Sequence, residues 1–201
     1  MNAVEMQHSV LSKLQGLKEH PDFLETYRIE KFLNEAQDIF VDLHYQRIDA
    51  SEAATKRLSR LIKNYSVAPD ANGADNIQSN AQFLDLPADI KYILQEHCVV
   101  SGSPVKVKPV NYDEYNINID NPFKNPNSSL IWRLDYGDSA RQHEIIHSGL
   151  TITTYKARYL ANPTAIDIFN NTSSIIPAEF HNEIVDIAVG LVVARNDDEN
   201  K

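Results

Sequence analysis

The chain has one cysteine, six glycines and fewer cations than anions among its 201 residues. Each shortage excludes something. A lone thiol, Cys98, cannot build an intrachain disulfide framework and fits assembly in a reducing compartment. In its strand-like run it reads as a small buried hydrophobe. So few glycines, none in a phosphate-cradling loop, leave little material for a nucleotide site made of backbone amides. Lys and Arg number 19 against 28 Asp and Glu, a formal net charge of −9. That is the wrong sign for a protein that grips nucleic acid through its phosphates. The basic clusters that occur, Lys56-Arg57 with Arg60 and Lys63, and Lys106 with Lys108, read as solvated faces. No apolar run approaches the ~20 residues that cross a bilayer, so no membrane partner is expected. No basic segment followed by an apolar stretch opens the chain, so no secretory signal is expected. There is no G-x-S-x-G turn and no C-x-x-C pair. No catalytic residue, cofactor or metal is therefore predicted.

What is present is patterned. Val4, Met6, Val10, Leu11, Leu14 and Leu17 form one helical stripe, stopped by Gly16 and His20-Pro21. A second helix starts within Asp22–Tyr27 and runs to about Gln46. Its apolar positions Ile29, Phe32, Leu33, Ala36, Ile39, Phe40 and Leu43 give the strongest periodic signal. Asp49 and Glu52 resemble a capping box for a third helix, with Ala54, Leu58, Leu61, Ile62 and Tyr65 inward. Val67 to Ala81 is rich in Asp, Asn, Ala and Gly and reads as a mobile loop. Ile90–Val100, Val105–Val110, Leu130–Tyr136 and Leu150–Leu160 read as strands, with Ile145-Ile146 and the Leu150 run as the partner of the Leu130 strand. Asn111 caps a short helix between them. Asn162-Pro163 stops the last strand, Ile176-Pro177 opens a closing helix, and an acidic tail follows. Helices and strands kept in separate runs predict an α+β fold. Its expected parts are an N-terminal helical hairpin or bundle, an antiparallel sheet of three to five strands and a long C-terminal helix. The expected organisation is a single domain over 1–201. Its parts are a helical 1–66, a loop 67–81, a mainly β 82–161, and a corner, closing helix and tail over 162–201.

One motif invites a mistake. His143-Glu144-Ile145-Ile146-His147 is a literal H-E-x-x-H, which on a helix holds Zn²⁺ with the Glu as general base. Ser148-Gly149 would end such a helix at once. If the motif is extended, His143, Ile145 and His147 share one face and Glu144 points to the other, away from any metal the histidines could hold. A zinc peptidase acting through His143, Glu144 and His147 is the alternative from a different class. A non-viral adaptor domain that binds a protein partner is another.

Three stretches carry a resemblance. Tyr27–Val41 resembles the opening helix of head-to-tail connector proteins of tailed phages, the adaptor or ring proteins of short-tailed and crAss-like phages. Leu86-Pro87-Ala88-Asp89 is similar to their "LP-x-D" lead-in to a sheet. Tyr155–Ile166 with Ile176–Ala188 resembles their ending, "Y-x-x-R-Y-x-x-x-P-x-x-I … P-x-x-x-H-x-x-I-x-x-x-A". Together they cover most of the chain.

The resemblance implies a virion structural protein without catalysis, assembled in the bacterial host cytoplasm. Copies would form a homo-oligomeric ring, dodecameric to match the portal protein, beside neighbouring neck and tail ring proteins. DNA would pass through the lumen without specific binding. Cyclic closure needs two different faces on each subunit. The candidates are the last strand and its corner, Tyr155, Arg158, Tyr159 and Pro163, and the small apolar patch Gly190 and Val193 on the closing helix.

Overall fold

The computed structural model describes residues 1–17, 25–48, 50–70, 77–135 and 142–199. The predicted stop at His20-Pro21, the Asp49 cap, the middle of the 67–81 loop and Tyr136, the expected end of the Leu130 strand, lie outside the described residues. The elements run α1 (Ala3–Gly16), α2 (Thr26–Tyr45), α3 (Glu52–Leu58), β1 (Ile62–Val67), β2 (Ala81–Asp85), β3 (Ile90–Val100) and β4 (Ser103–Pro109). Then come α4 (Tyr112–Asn118), β5 (Leu130–Asp135), β6 (Gln142–Ile146), β7 (Ile152–Ala161) and α5 (His181–Glu199). The fold is α+β, as the patterning predicts. None of the described helices is long and apolar enough to cross a membrane. The chain divides into a helical unit, Met1–Ile62 with Asn162–Lys201, and a sheet unit, Lys63–Ala161.

In the helical unit, α5 packs on both α1 and α2, and α2 on α3. Asn2 and Glu5 form a reciprocal capping box at the start of α1. The cap of α3 is Ser51, whose Oγ accepts from the Ala54 amide. The buried seam joins Met6, Val10 and Leu14 of α1, Ile29, Phe32, Leu33, Ala36 and Phe40 of α2, and Ile184, Val185, Ala188 and Val192 of α5. Each fully buried residue of Leu or Phe size contributes about 1.5–3 kcal/mol relative to exposure. Ion pairs tie the surface: Lys13 to Asp186 at 2.6 Å, Arg57 to Glu183 at 3.0 Å and Arg195 to Glu35 at 3.3 Å. Buried His181 places one ring nitrogen 2.9 Å from the Met1 carbonyl and the other 2.8 Å from that of Ile176.

The sheet corrects the predicted count and sense. It has seven strands, in the order β1-β7-β3-β4-β5-β6-β2. Two strands were hidden. Leu61, Ile62 and Tyr65 continue a helical spacing, yet the chain makes a 3₁₀ turn at Ser59–Leu61 and then extends as β1. Similarly Ala81–Asp85 is a full strand, β2, at what the sequence shows only as a return to order. The β4–β5 pair is parallel because α4 is a crossover: it returns the chain to the same end of the sheet, so β5 must run the same way as β4. The predicted Ile145 and Leu150 partner splits. β6 pairs with β5 and β2, whereas β7 pairs with β3. At the β3–β4 turn, Ser101 and Gly102 both have positive φ, the geometry of a two-residue hairpin.

The sheet also curls. Laid flat, seven strands would set β1 and β2 roughly 29 Å apart at ~4.8 Å per step. Instead the Tyr65 hydroxyl donates to the Asp85 carbonyl at 2.8 Å, and the Asp70 amide to that of Phe83 at 3.0 Å. One apolar cluster takes side chains from all seven strands, among them Val67, Leu84, Cys98, Val107, Ile131, Ile145 and Tyr155. That cluster is the inside of a barrel-like sheet. On the outside, α4 covers a second cluster, with Tyr115 edge-on to Trp132. Cys98 lies inside, and burial pushes its thiol up to about 12, so it is inert at neutral pH.

Candidate assembly surfaces

The residues expected at an interface fall in two groups. Tyr155, Arg158 and Tyr159 lie on β7 in the sheet unit; Pro163, Gly190 and Val193 lie in the helical unit. The Tyr155 side chain is buried inside the sheet and its hydroxyl donates to Glu96 Oε2 at 2.7 Å. Buried Tyr159 donates to Asp89 Oδ1 at 3.0 Å. Arg158 is exposed and reaches Asn64 Oδ1 at 3.3 Å, Pro163 and Val193 are half-buried, and Gly190 is exposed. A methyl group built on Gly190 would meet nothing within 4 Å. The exposed members of the set are thus Arg158 and Gly190, and Pro163 and Val193 are accessible in part.

The H-E-x-x-H run is extended: His143 to Ile146 lie in β6 and His147 follows its end. His143 faces the barrel interior with Arg133, Glu96 and Tyr155, while Glu144 faces the other side. The Arg133 guanidinium lies 2.9 Å from His143 Nδ1 and pairs with Glu96 at 3.1 Å and Asp135 at 2.9 Å. Burial, then the Arg133 charge, hold His143 down to about 4, so it is a neutral acceptor at pH 7. Glu144 Oε1 accepts from the Ile77 amide at 2.8 Å, and burial raises its carboxyl. Strand alternation therefore separates the groups a zinc peptidase must bring together. Among the described residues, no three His, Cys, Asp or Glu converge as a metal site.

The sequence's basic clusters are occupied in part by acids. Lys56 meets Glu179, Arg57 meets Glu183 and lies over the Phe180 ring, Lys63 meets Asp89 and Lys108 meets Glu114. Lys106 is exposed and has no ion pair among the described residues.

Large apolar side chains remain outside. Phe123 is 93% exposed, Ile117 76% and Phe169 74%. Scattered single residues of this kind are ordinary, but Phe169 sits on a held turn. The stretch 164–168 has no strand partner. Three side chains of α2 take that place. Gln37 Nε2 donates to the Thr164 carbonyl, the Asn34 amide both donates to and accepts from Ile166, and Glu30 accepts from the Ile168 amide, all at 2.8–3.0 Å. Residues 37, 34 and 30 lie on one face of the helix, and 164, 166 and 168 alternate along an extended chain. The turn then closes through the Asp167–Thr172 bridge, with Asp167 accepting from the Asn170 amide and side chain. No pattern of apolar spacing announces this clamp. The signal that could have found it is three polar residues at i, i+4 and i+7, which form one stripe along an amphipathic helix.

The barrel wall has an opening. β3 and β4 pair only from His97 to Val100 and from Ser103 to Lys106. Earlier residues of β3 stay with β7 across two register shifts, and later residues of β4 stay with β5. Between the diverging strands lies a cleft of about 740 Å³, walled by Ile93, Leu94, Pro104 and Val107, with the Glu96–Arg133 pair at its base.

A family model described as phage tail ring protein 3/4 matches residues 6–201. The chain belongs to this family. It is 24% identical over 159 residues to Ring protein 3 of Bacteroides phage crAss001, covering 71% of this chain and 68% of that one. It is 26% identical over 162 residues to Ring protein 4/5 of the same phage, covering 75% and 68%. The resemblance read from Tyr27–Val41 and the two later stretches is thus to the right family. This phage tail ring protein is a structural component of a virion. Several residues that carry the resemblance, Tyr155, Tyr159 and His181, hold the subunit's own fold.

Proposed function

We propose that copies of this chain close into a ring in the neck between portal and tail, link head to tail, and line the channel through which DNA leaves. Membership of the ring-protein family over nearly the whole chain carries the reading. Twelve copies would match the portal's symmetry, and assembly takes place in the host cytoplasm before the tail is attached. The chain works as one connector unit, performs no chemistry and needs no cofactor or metal. Its partners are further copies of itself, the portal and the adjoining neck rings. The net charge of −9 suits a lumen that repels the phosphate backbone, so that DNA slides instead of sticking. Arg158 on one unit, and Pro163, Gly190 and Val193 on the other, stand at the subunit contacts, while the buried Tyr155 and Tyr159 hold the strand that carries Arg158.

Electron microscopy of the chain mixed with its portal tests this. The expected image is a closed ring, twelve-fold, coaxial with the portal. A one-to-one complex with an unrelated protein and no ring would overturn it in favour of an adaptor role. Peptide hydrolysis by the purified chain that disappears in Glu144→Gln would overturn the non-catalytic part.

A further inference from the structure

The turn carrying Phe169 presents an exposed aromatic ring beside a carboxylate, and the cleft between β3 and β4 offers apolar side chains beside the exposed cation Lys106. We propose that the cleft of each copy receives the Phe169 turn of the next copy, Phe169 seating against the apolar walls and Asp167 meeting Lys106. This rests on the ring reading above and names the contact that would join the subunits.

Four observations carry it. First, a ring needs a heterologous contact made by two different surfaces, and these two lie on different units of the chain. Second, the turn is pre-organised. The α2 clamp on 164–168 and the Asp167–Thr172 bridge fix its backbone, so little entropy is lost on docking. An aromatic side chain 74% exposed on a backbone so fixed is the kind of anchor that dominates interfaces. Third, the cleft, of about 740 Å³, has room for one aromatic ring and the neighbouring turn residues, and its lining is mixed: Ile93, Leu94, Pro104 and Val107 are apolar, while Gln95 and His97 are polar. Fourth, the charges match. Lys106 on the rim has no ion pair among the described residues. Hydrogen bonds from Asn170 hold the Asp167 carboxyl below its ordinary range, so it is anionic at neutral pH. Phe123 is more exposed still, but its loop carries Lys124, which does not complement that rim.

The single native thiol is buried, which makes disulfide trapping clean. The full-length chain carrying Phe169→Cys with Pro104→Cys is oxidised and run without reductant, beside each single variant. Wild type and Phe169→Asp are compared in parallel by sedimentation and electron microscopy. The expected result is a ladder of covalent oligomers from the double variant, with at most dimers from either single one. Assembly should weaken at least tenfold in Phe169→Asp and remain near wild type in Phe169→Leu. Both positions are exposed, so circular dichroism should show unchanged folding. Wild-type rings with no ladder, and Phe169→Asp assembling like wild type, would overturn the inference and leave the ring reading standing. A covalent bond within one copy, seen as a shifted monomer without a ladder, would also overturn it. A wild-type chain that stays monomeric at every concentration and on the portal removes both.

Discussion

The two units bury polar side chains for opposite purposes. Inside the sheet unit, Glu96, Arg133, Tyr155 and His143 bond one another through side chains alone, and the exposed Asp135 carboxylate ends the network. In the helical unit, Glu30, Asn34, Gln37 and His181 turn to backbone that has no regular partner. One arrangement fills a barrel around charge; the other substitutes helix side chains for a missing strand. The difference predicts different failures. A buried ion pair is costly to break at one member and cheap to replace whole. A side-chain ladder on an extended segment loses its rungs one by one.

The largest effect should come from the network. Arg133→Ala leaves the Glu96 carboxylate buried without its cation and should cost about 3–5 kcal/mol by urea unfolding. Replacing the set together, Glu96→Leu with Arg133→Met and Tyr155→Phe, should recover most of that loss. A single variant no worse than the triple one would mean that the pair is solvated and the barrel interior is wet.

The same network should respond to acid. The folded chain holds His143 down to about 4, while in the unfolded chain the imidazole titrates at its ordinary value of about 6.5. Between those values the unfolded chain binds more protons, so its contribution is whole above pH 6.5 and is lost as pH falls toward about 4. The loss should be on the order of 2–3 kcal/mol. Subtracting the stability profile of His143→Asn isolates it; a flat difference across that window would mean that the imidazole is hydrated in the native state.

The ladder should fail more gently. Asn34→Ala removes both hydrogen bonds to Ile166 and should cost roughly 1–3 kcal/mol, with the loss confined to the 164–172 corner in hydrogen exchange. Global loss of protection would show instead that the corner and the helices unfold as one.

How much of this the sequence discloses follows the same division. The 3.6-residue spacing of Ile29, Phe32, Leu33, Ala36 and Phe40 belongs to local geometry, so α2 is legible to within a few residues of each end. β3, β5 and β7 are legible from β-branched and aromatic runs. Pairing is not local: a sequence cannot show that α4 makes β4 and β5 parallel, or that β1 and β2 meet at Asp85. Leu61, Ile62 and Tyr65 fit helix and strand alike until the 3₁₀ turn decides. Of the interface set, Gly190 was visible as a break in a polar stripe. Burial of Tyr155 and Tyr159 was not, because aromatic residues on a strand look the same whether they face a neighbour or the inside of their own barrel.

Gly190 gives the smallest effect and the sharpest test of that patch. It sits inside α5 with helical backbone and open space around it, so nothing among the described residues requires a glycine there. Alanine should therefore stabilise the isolated chain by about 0.5–1 kcal/mol, the usual gain of Gly→Ala in a helix. If another copy packs against this face, the added methyl must intrude on that contact, and rings should form less readily although each subunit is more stable. Opposite signs in unfolding and assembly would mark Gly190 as part of a subunit contact. Stabilisation with unchanged assembly would leave this face of α5 in solvent and pass the burden of joining subunits to the sheet unit and the Phe169 turn.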